Sequence, residues 1–277
     1  MRLSIVVSAQ PASFEAATFQ GDLDANLAFV RELGFDGVEL AVRDPDALDA
    51  DALAARLGEL DLDVSALGTG QAWGEEGLSL TSPDAGVRRR AVERLEAHVR
   101  LSTRLGRAGA CPVVIVGLLR GKLAQGQDRA LAAQQLVEGL KACCASAAGA
   151  GVRIAVEPIN RYETDLVNTV AQGLELIEQV GAAELGLLLD TFHMNIEEPD
   201  ILQSIRRAAG RVFHVHVADS NRHAPGQGHI DFEAVLGALD AIGYRGFASG
   251  EFLPLPDAGE AARRALRHLR ACQKETG

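Results

Sequence analysis

The feature that most constrains the fold of this sequence is a regular alternation of short apolar runs with longer amphipathic segments, repeated eight times. The apolar runs, three to six residues long, predict β-strands. They are Leu3–Val7, Gly37–Leu40, Val64–Leu67, Val113–Val116, Ile154–Val156, Leu185–Leu189, Val212–Val217 and Phe247–Ser249. The segments between them are rich in Ala and Leu, carry charged faces and predict helices. They are Leu23–Leu33, Ala50–Leu60, Asp84–Leu105, Arg129–Ala148, Thr169–Val180, Ile201–Ala209, Phe232–Ile242 and Glu260–Gln273.

Strands that alternate with helices predict a parallel sheet covered by helices. Eight such units in about 250 residues favour one α/β domain over residues 1–277, a closed (β/α)₈ TIM barrel. An open doubly wound sheet is the alternative, although no GxGxxG motif follows the first strand. The longer connections, at residues 68–83, 157–168 and 219–230, all follow strands. Since such loops form the active face of a barrel, we expect the functional site there.

Charge and composition exclude several classes of function. The chain has 27 basic and 38 acidic residues, a net charge of -11, which disfavours nucleic acid and anionic membranes as partners. No apolar run approaches the roughly 18 residues needed to cross a bilayer, and the first residues resemble a strand more than a signal peptide. Cys111, Cys143, Cys144 and Cys272 form no CxxC pair. They predict buried free thiols and a cytoplasmic protein.

Four consecutive predicted strands, the fifth to the eighth, end in side chains that can bind a metal. These are Glu157, Asp190, His216 and Glu251. Each alone could be a solvated or satisfied residue of the rim, but their coincidence at four neighbouring strand ends predicts a metal site. Three carboxylates and an imidazole suit a hard or borderline divalent cation, Mn²⁺ first and Co²⁺ or Mg²⁺ next. Zinc is less favoured because no thiolate takes part.

Side chains alternate along a strand, so each predicted ligand shares the inner face with the residue two positions before it. These neighbours are Ala155, Leu188, His214 and Ser249. They are small or modest in size and leave room at the barrel mouth. In the seventh strand, the same alternation predicts that Phe213, Val215 and Val217 pack against helices.

Three long blocks of the sequence resemble the ketose 3-epimerases of the xylose-isomerase-like barrel superfamily, the relatives of D-tagatose 3-epimerase. The blocks are residues 157–164, 189–198 and 214–222 with 225–229, and the resemblance extends over nearly the whole chain. It implies a xylose-isomerase-like TIM barrel and a divalent-metal-dependent carbohydrate epimerase with the same four metal ligands. It also implies that Glu163, His193 and Arg222 hold hydroxyl and carbonyl oxygens of the substrate. From the residues alone, Glu163 and Arg222 could equally be solvated loop charges.

Inverting the carbon next to a ketone requires a proton to leave one face of that carbon and another to arrive on the opposite face. The metal would stabilise the enediolate as its charge develops. One base does not easily reach both faces, so we expect two, Glu157 and Glu251, one ionised and one protonated. The likeness to the epimerases supports this assignment.

Within the family the likeness is strongest to epimerases of 5-keto-L-gluconate, in residues 41–45, 68–71 and 217–222. Many epimerases of neutral ketoses carry Gly-Glu where this chain has Ala218-Asp219. The predicted substrate is therefore a ketose or keto-sugar acid, with 5-keto-L-gluconate preferred. A D-tagatose- or D-psicose-type ketohexose is the alternative.

Two cations and one aromatic residue on predicted active-face loops bear on substrate binding. Arg120 and Lys122 follow the fourth strand and could capture a substrate carboxylate, or they could be solvated. No Gly-rich phosphate cradle follows the seventh or eighth strand, which disfavours sugar phosphates. Trp73 could stack on the sugar, close the site or pack at the rim.

Three rival functions use the same barrel. An aldose–ketose isomerase would move the proton to the neighbouring carbon, and a sugar-binding barrel without activity would bind metal and ligand only. A DNA-repair endonuclease would need a basic face and several metals. The net charge of -11 and the lack of further His/Asp clusters in the sequence disfavour it. Family members are commonly dimers or tetramers, so a homo-oligomer is expected, but no residue locates its interface.

Overall fold

The strands of the barrel close in chain order. The computed structural model describes residues 1–11, 16–107 and 109–275. Its strands are β1 Arg2–Ser8, β2 Gly37–Ala41, β3 Asp63–Gly68, β4 Val113–Val116, β5 Ile154–Val156, β6 Leu185–Asp190, β7 Val212–Val217 and β8 Phe247–Gly250. Each pairs in parallel with the next, and β8 returns to β1, where Arg2 lies opposite Phe247 and Ile5 opposite Gly250. This closure confirms the (β/α)₈ barrel and rules out the open sheet.

Ten α-helices are described in these residues. They are α1 Leu23–Leu33, α2 Ala50–Glu59, α3 Gly70–Glu76, α4 Ala85–Leu105, α5 Arg129–Ala150, α6 Val170–Val180, α7 Thr191–Glu197, α8 Ile201–Arg207, α9 Phe232–Ala241 and α10 Ala258–Glu275. Eight of them match the predicted segments to within two residues at either end. The unpredicted α3 and α7 follow β3 and β6 within one residue and have seven residues each, so they were not separated from the loops after these strands.

Capping side chains explain why seven of the predicted helices begin close to where the sequence predicts. Their hydroxyl or carboxylate oxygen accepts a hydrogen bond from a backbone N–H of the first turn, which would otherwise have no partner. The caps are Asp22, Asp49, Asp84, Asp128, Thr169, Asp200 and Asp231. Asp190 caps α7 in the same way, which matters for the site described below.

The core has two layers, one between barrel and helices and one inside the barrel. The inner cluster consists of Ala66, Val113, Ile115, Ala155 and Leu188. Phe213 packs against this inner cluster, so the prediction that it packs against helices is wrong. The reason is a shift in register: Leu187 lies opposite Val212, but Leu188 lies opposite His214, which leaves Phe213 as an extra residue. Val215 and Val217 belong to the outer layer as predicted.

The helices and cysteines of the described residues bear on two predictions made from composition. None of the described helices is long and apolar enough to cross a membrane. All four cysteines are free, and Cys143, Cys144 and Cys272 are buried while Cys111 is partly exposed. The prediction of free thiols is therefore confirmed, with Cys111 less buried than expected.

Candidate metal centre and active site

The four predicted ligands meet at the mouth of the barrel, on the side formed by β5 to β8. Glu157 directly follows β5, Asp190 ends β6, His216 lies in β7 and Glu251 directly follows β8. Asp190 lies opposite His216 in the sheet, so the order of the strands alone brings neighbouring ligands together. We call these four residues the quartet.

Atoms of the quartet are close enough to share one cation. His216 Nδ1 lies 3.8 Å from Glu157 Oε1, 3.9 Å from Asp190 Oδ2 and 3.6 Å from Glu251 Oε2. One ligand atom from each residue lies within 4.8 Å of every other. Gly117 contributes to the fit, because a Cβ there would lie 2.6 Å from Glu157 Oε2. The quartet is thus a group able to bind a metal ion.

Two atoms at the centre of the quartet indicate that a cation fits there. Among the described residues, Asp190 Oδ2 and His216 Nδ1 are buried and accept or donate no hydrogen bond. The other oxygen of Asp190 accepts from the N–H of Phe192 at 2.8 Å, as the cap of α7, so Oδ2 is turned to the quartet. Buried polar atoms normally have partners, and a divalent cation would supply one for both.

His216 is held from inside the barrel by Glu39, a residue that was not predicted from the sequence. This buried carboxylate of β2 lies 3.0 Å from His216 Nε2 and 2.8 Å from His214 Nε2. Glu39 thereby holds a proton on His216 Nε2 and turns Nδ1 to the quartet. The signal was available, because a Glu within the apolar run Gly37–Ala41 has to find a buried partner.

The pKa values of the quartet reflect its burial and its crowded charges. Burial is the main reason that the pKa of Glu157 is raised well above its usual value, and the negative charges of Glu251 and Asp190 raise it further. Burial also raises the pKa of Glu251 to about 7. Burial alone would lower the pKa of His216, but nearby carboxylates, Glu39 first, hold it well above its usual value. Without a cation the quartet therefore retains protons, and binding of a divalent cation would displace part of them.

His193 lies beside the quartet with a fixed orientation. Its Nδ1 lies 2.8 Å from Asn160 Nδ2, which can only donate, so the proton of the neutral ring is on Nε2. Nε2 lies 3.7 Å from both Glu157 Oε1 and Asp190 Oδ2. Burial lowers the pKa of His193, which keeps the ring neutral. Asn160 also donates to Glu163 at 2.8 Å and was not identified as a site residue from the sequence.

Arg222 connects the predicted substrate-contacting residues to the quartet. Its guanidinium donates to Glu163 Oε1 at 3.1 Å and to Glu251 Oε2 at 3.4 Å. Its Cζ lies 4.9 Å from the centre of the Phe192 ring. The structure therefore brings Glu163, His193 and Arg222 together at the cavity that holds the quartet.

The loop that carries Arg222 is organised by Asp219, which is fully buried. The Asp219 carboxylate accepts hydrogen bonds from the backbone N–H groups of Ser220, Gly226 and Ile230. Burial alone would raise the pKa of Asp219, but these bonds hold it below its usual value. Arg222 itself has a φ of 60°, unusual for a residue with a side chain. Asp219 is absent from the described lining of the cavity, so its role in this structure is to hold the loop.

Arg120 lies away from the cavity, although its place after β4 predicted a loop of the active face. The side chain is fully buried, and its guanidinium donates to the backbone carbonyls of Gly117, Glu157, Leu166 and Val167. The prediction that Arg120 binds a substrate carboxylate is therefore wrong, because its donors are occupied by backbone and it does not line the cavity among the described residues. Lys122 is exposed and also lies outside this lining.

The cavity at the quartet has a volume of 490 Å³ and extends across the mouth of the barrel. Opposite the quartet it is lined by residues of β1 to β4 and by α3, including Val6, Ala41, Gly68, Gln71 and Trp73. The half-buried Trp73 side chain lies on α3 against this space, as stacking or closure of the site would require.

The structure contains a second His/Glu cluster, contrary to the sequence analysis, formed by Glu39, His214 and His216. The Glu39 carboxylate bonds to Nε2 of His214 at 2.8 Å and to Nε2 of His216 at 3.0 Å, so these groups are already satisfied without a cation. We therefore assign this cluster to the support of His216 and not to a second metal.

Fold and site together define a TIM barrel with one candidate metal centre at its active face. A sequence model described as "Xylose isomerase-like TIM barrel" matches residues 27–272. The chain belongs to this family, as the sequence analysis predicted.

Its relatives include named sugar epimerases. L-ribulose 3-epimerase of Mesorhizobium japonicum is 39% identical over 83% of this chain and 75% of its own. Ketose 3-epimerase of Arthrobacter globiformis is 35% identical over 78% of this chain and 72% of its own. A solved structure of L-ribulose 3-epimerase superimposes with a TM-score of 0.83 at 32% identity, covering 99% of this chain and 96% of that one. These relatives agree with the expectation of a carbohydrate epimerase.

Proposed function

We propose that this protein is a metal-dependent ketose 3-epimerase that inverts the carbon next to the ketone. The observation that carries the proposal is the position of two carboxylates, Glu157 and Glu251, at the two ends of the quartet. They follow β5 and β8, with Asp190 and His216 on the two strands between. A sugar bound there would have one carboxylate towards each face. The relatives named as epimerases of ketoses support the same reaction.

The quartet would hold the metal, and its oxygen-rich donor set favours Mn²⁺, with Co²⁺ or Mg²⁺ as alternatives. When bound, the cation supplies positive charge that stabilises the negative charge developing on the substrate oxygens. Asp190 and His216 act only as ligands in this scheme. Glu157 and Glu251 are ligands that also face the reacting carbon.

The two glutamates move the protons. Three carboxylates around one divalent cation leave a net negative site, so one of the two glutamates retains a proton. The ionised carboxylate removes the proton from C3, and the protonated one delivers its proton to the opposite face. Their roles are exchanged in the reverse direction.

Neighbouring side chains hold the substrate oxygens during this transfer. Neutral His193 directs its Nε2–H towards the quartet and would donate to the carbonyl or an adjacent hydroxyl oxygen. Arg222 and Glu163, already joined at 3.1 Å, provide a donor and an acceptor for hydroxyl groups. Binding through several such contacts fixes C3 between the two carboxylates.

We propose a neutral ketose as the substrate class, in place of 5-keto-L-gluconate. With Arg120 buried, Arg222 is the one arginine or lysine among the described lining residues, and it is paired with Glu163 and Glu251. Glutamates otherwise dominate the charged lining. A substrate carboxylate would therefore be repelled more than it would be attracted.

The test is exchange of the C3 proton of D-tagatose or L-ribulose with deuterium oxide in the presence of Mn²⁺. Glu157→Gln and Glu251→Gln should each reduce epimerisation at least about a thousandfold, whereas Glu32→Gln, on the exposed face of α1, should not change it. The same panel includes 5-keto-L-gluconate, for which we expect slower turnover than for the neutral ketoses. Full exchange in both site variants, or an aldose product, would contradict the proposal.

Several wider properties are proposed on less direct grounds. Four free thiols support a reducing, cytoplasmic location. A net charge of -11 supports a small-molecule substrate and no nucleic acid partner. That residues 1–277 form one domain, and that the chain assembles into a homo-oligomer, stay predictions.

A further inference from the structure

The part of the cavity opposite the quartet is lined mainly by apolar residues, apart from Glu39, Thr69 and α3. Its apolar lining from the strands and the β4 loop includes Val6, Ala41, Gly68, Ile115 and Leu118, and the carboxylate of Glu39 is already bonded to His214 and His216. If C1 to C3 of a ketose lie at the quartet, the remaining carbons extend into this part. A sugar carries a hydroxyl on each of those carbons, so the apolar lining alone does not satisfy them.

Gln71 of α3 lies in this part and is 5% exposed. The orientation of its amide follows from its neighbour Ser8. The Ser8 hydroxyl donates to the carbonyl of Gln10 at 2.6 Å, so towards Gln71 it can only accept. The Gln71 atom 2.8 Å from Ser8 Oγ is therefore the donor Nε2. The carbonyl oxygen Oε1 is the other end of the amide.

Gln71 Oε1 is buried and has no hydrogen-bond partner among the described residues. The start of α3 is fixed, because Thr69 Oγ1 donates to the carbonyl of Ile115 at 2.7 Å. Thr69 therefore offers Oε1 no donor. A buried acceptor left without a donor is costly, and a ligand hydroxyl would remove this cost.

We propose that Gln71 is a specificity-determining residue whose Oε1 accepts a hydrogen bond from a distal hydroxyl of the ketose, on C4, C5 or C6. The inference rests on the proposed function, which puts C1 to C3 at the quartet. In this inference α3 selects for the distal hydroxyl groups of the ketose, while the residues at the ends of β5 to β8 transfer the protons at C3. A site that hydrogen-bonds a hydroxyl discriminates strongly against an analogue that lacks it.

The experiment compares D-fructose with its 4-deoxy, 5-deoxy and 6-deoxy analogues in the wild type and in Gln71→Met. Methionine keeps the length of the side chain but provides no amide. For the wild type, we expect kcat/KM to be about tenfold lower for one of the three analogues than for D-fructose. In Gln71→Met this ratio should fall to near one, because D-fructose loses activity and that analogue does not.

The matched control is Gln135→Met in α5. The side-chain oxygen of Gln135 is also buried without a partner among the described residues, but Gln135 does not belong to the described lining of the cavity. It should keep the wild-type ratios. Identical ratios in wild type and Gln71→Met for all three analogues would overturn the inference and leave the epimerase proposal standing. Absence of C3 exchange with every ketose in the wild type would instead overturn the proposed function. If Gln71→Met does not fold, Gln71→Ala is measured with the same four sugars and the same criteria.

Discussion

The two halves of the barrel mouth have the same architecture but very different contents. Each strand from β5 to β8 ends in an ionisable ligand, and all four side chains meet. In β1 to β4 the corresponding surface is small and apolar, and the buried Glu39 is bonded to His214 and His216 of the other half. The groups proposed for the reaction are thus concentrated on one side, which leaves the other side free to bind the rest of the substrate. Substitutions in the two halves should therefore have different kinetic effects.

The largest effect is expected from removing charge at the centre of the quartet. Asp190→Asn keeps an oxygen to cap α7 but replaces the oxygen that has no partner, Oδ2, and should weaken Mn²⁺ binding by at least about a hundredfold. Calorimetric titration of the metal-free protein measures this directly. Asp200→Asn, at the equivalent cap of α8, is the control and should bind the metal as the wild type does. An unchanged affinity of Asp190→Asn for Mn²⁺ would show that the quartet does not bind the metal as described.

The next effect concerns the junction between the halves, where Arg120 after β4 holds the β5 loop. Arg120→Met leaves buried carbonyls, among them those of Leu166 and Val167, without their donor and should lower the free energy of unfolding by about 3–5 kcal/mol. The exposed Lys122→Met should change it by less than about 0.5 kcal/mol. Urea unfolding of the two variants checks the difference. Equal stability would show that the bonds of Arg120 do not join the two halves.

A smaller effect is expected from pH on the metal-free protein. Because the folded pKa of Glu251 is about 7 against a usual 4.5, the folded state retains a proton there that the unfolded state has lost. This contribution to stability is complete below pH 4.5 and is lost as the pH rises through 7. Binding of Mn²⁺ releases the proton, so stabilisation by the metal should grow over the same range.

Melting temperatures at pH 5 and 8, with chelator and with Mn²⁺, test this linkage. The difference in melting temperature between the Mn²⁺-loaded and the chelated protein should be larger at pH 8 than at pH 5. Glu251→Gln, which does not titrate, should reduce the loss of stability of the chelated protein across the range. If the chelated wild type is equally stable at both pH values, the proposed linkage between protonation of Glu251 and stability is contradicted.

The smallest effect should come from the other half. Trp73→Phe keeps a ring on α3 against the cavity but reduces its area, so KM for a ketose should rise about threefold with kcat unchanged. Steady-state kinetics separates the two constants. A large fall in kcat with KM unchanged would mean that α3 takes part in the chemistry and that the division between the halves is wrong.

The same division describes what could be predicted from the sequence. Apolar runs bounded by turns predict the strands well, and Glu157, Asp190, His216 and Glu251 were identifiable because each stands at a strand end. The burial of Arg120 was not predictable, since its partners, the carbonyls of residues 157, 166 and 167, are distant in sequence. Short helices such as α3, and with them the position of Gln71, leave no periodic pattern.

The most direct test of the central claim follows a label from C3 through a single turnover. A neutral ketose deuterated at C3 is mixed with excess enzyme and Mn²⁺ in ordinary water, and the epimer is analysed by mass spectrometry. With Glu157 and Glu251 on opposite faces, the deuterium stays on the carboxylate that removed it, and the epimer should contain ordinary hydrogen at C3. An epimer that retains the deuterium would mean that one base serves both faces, and would contradict the division of labour between the two glutamates.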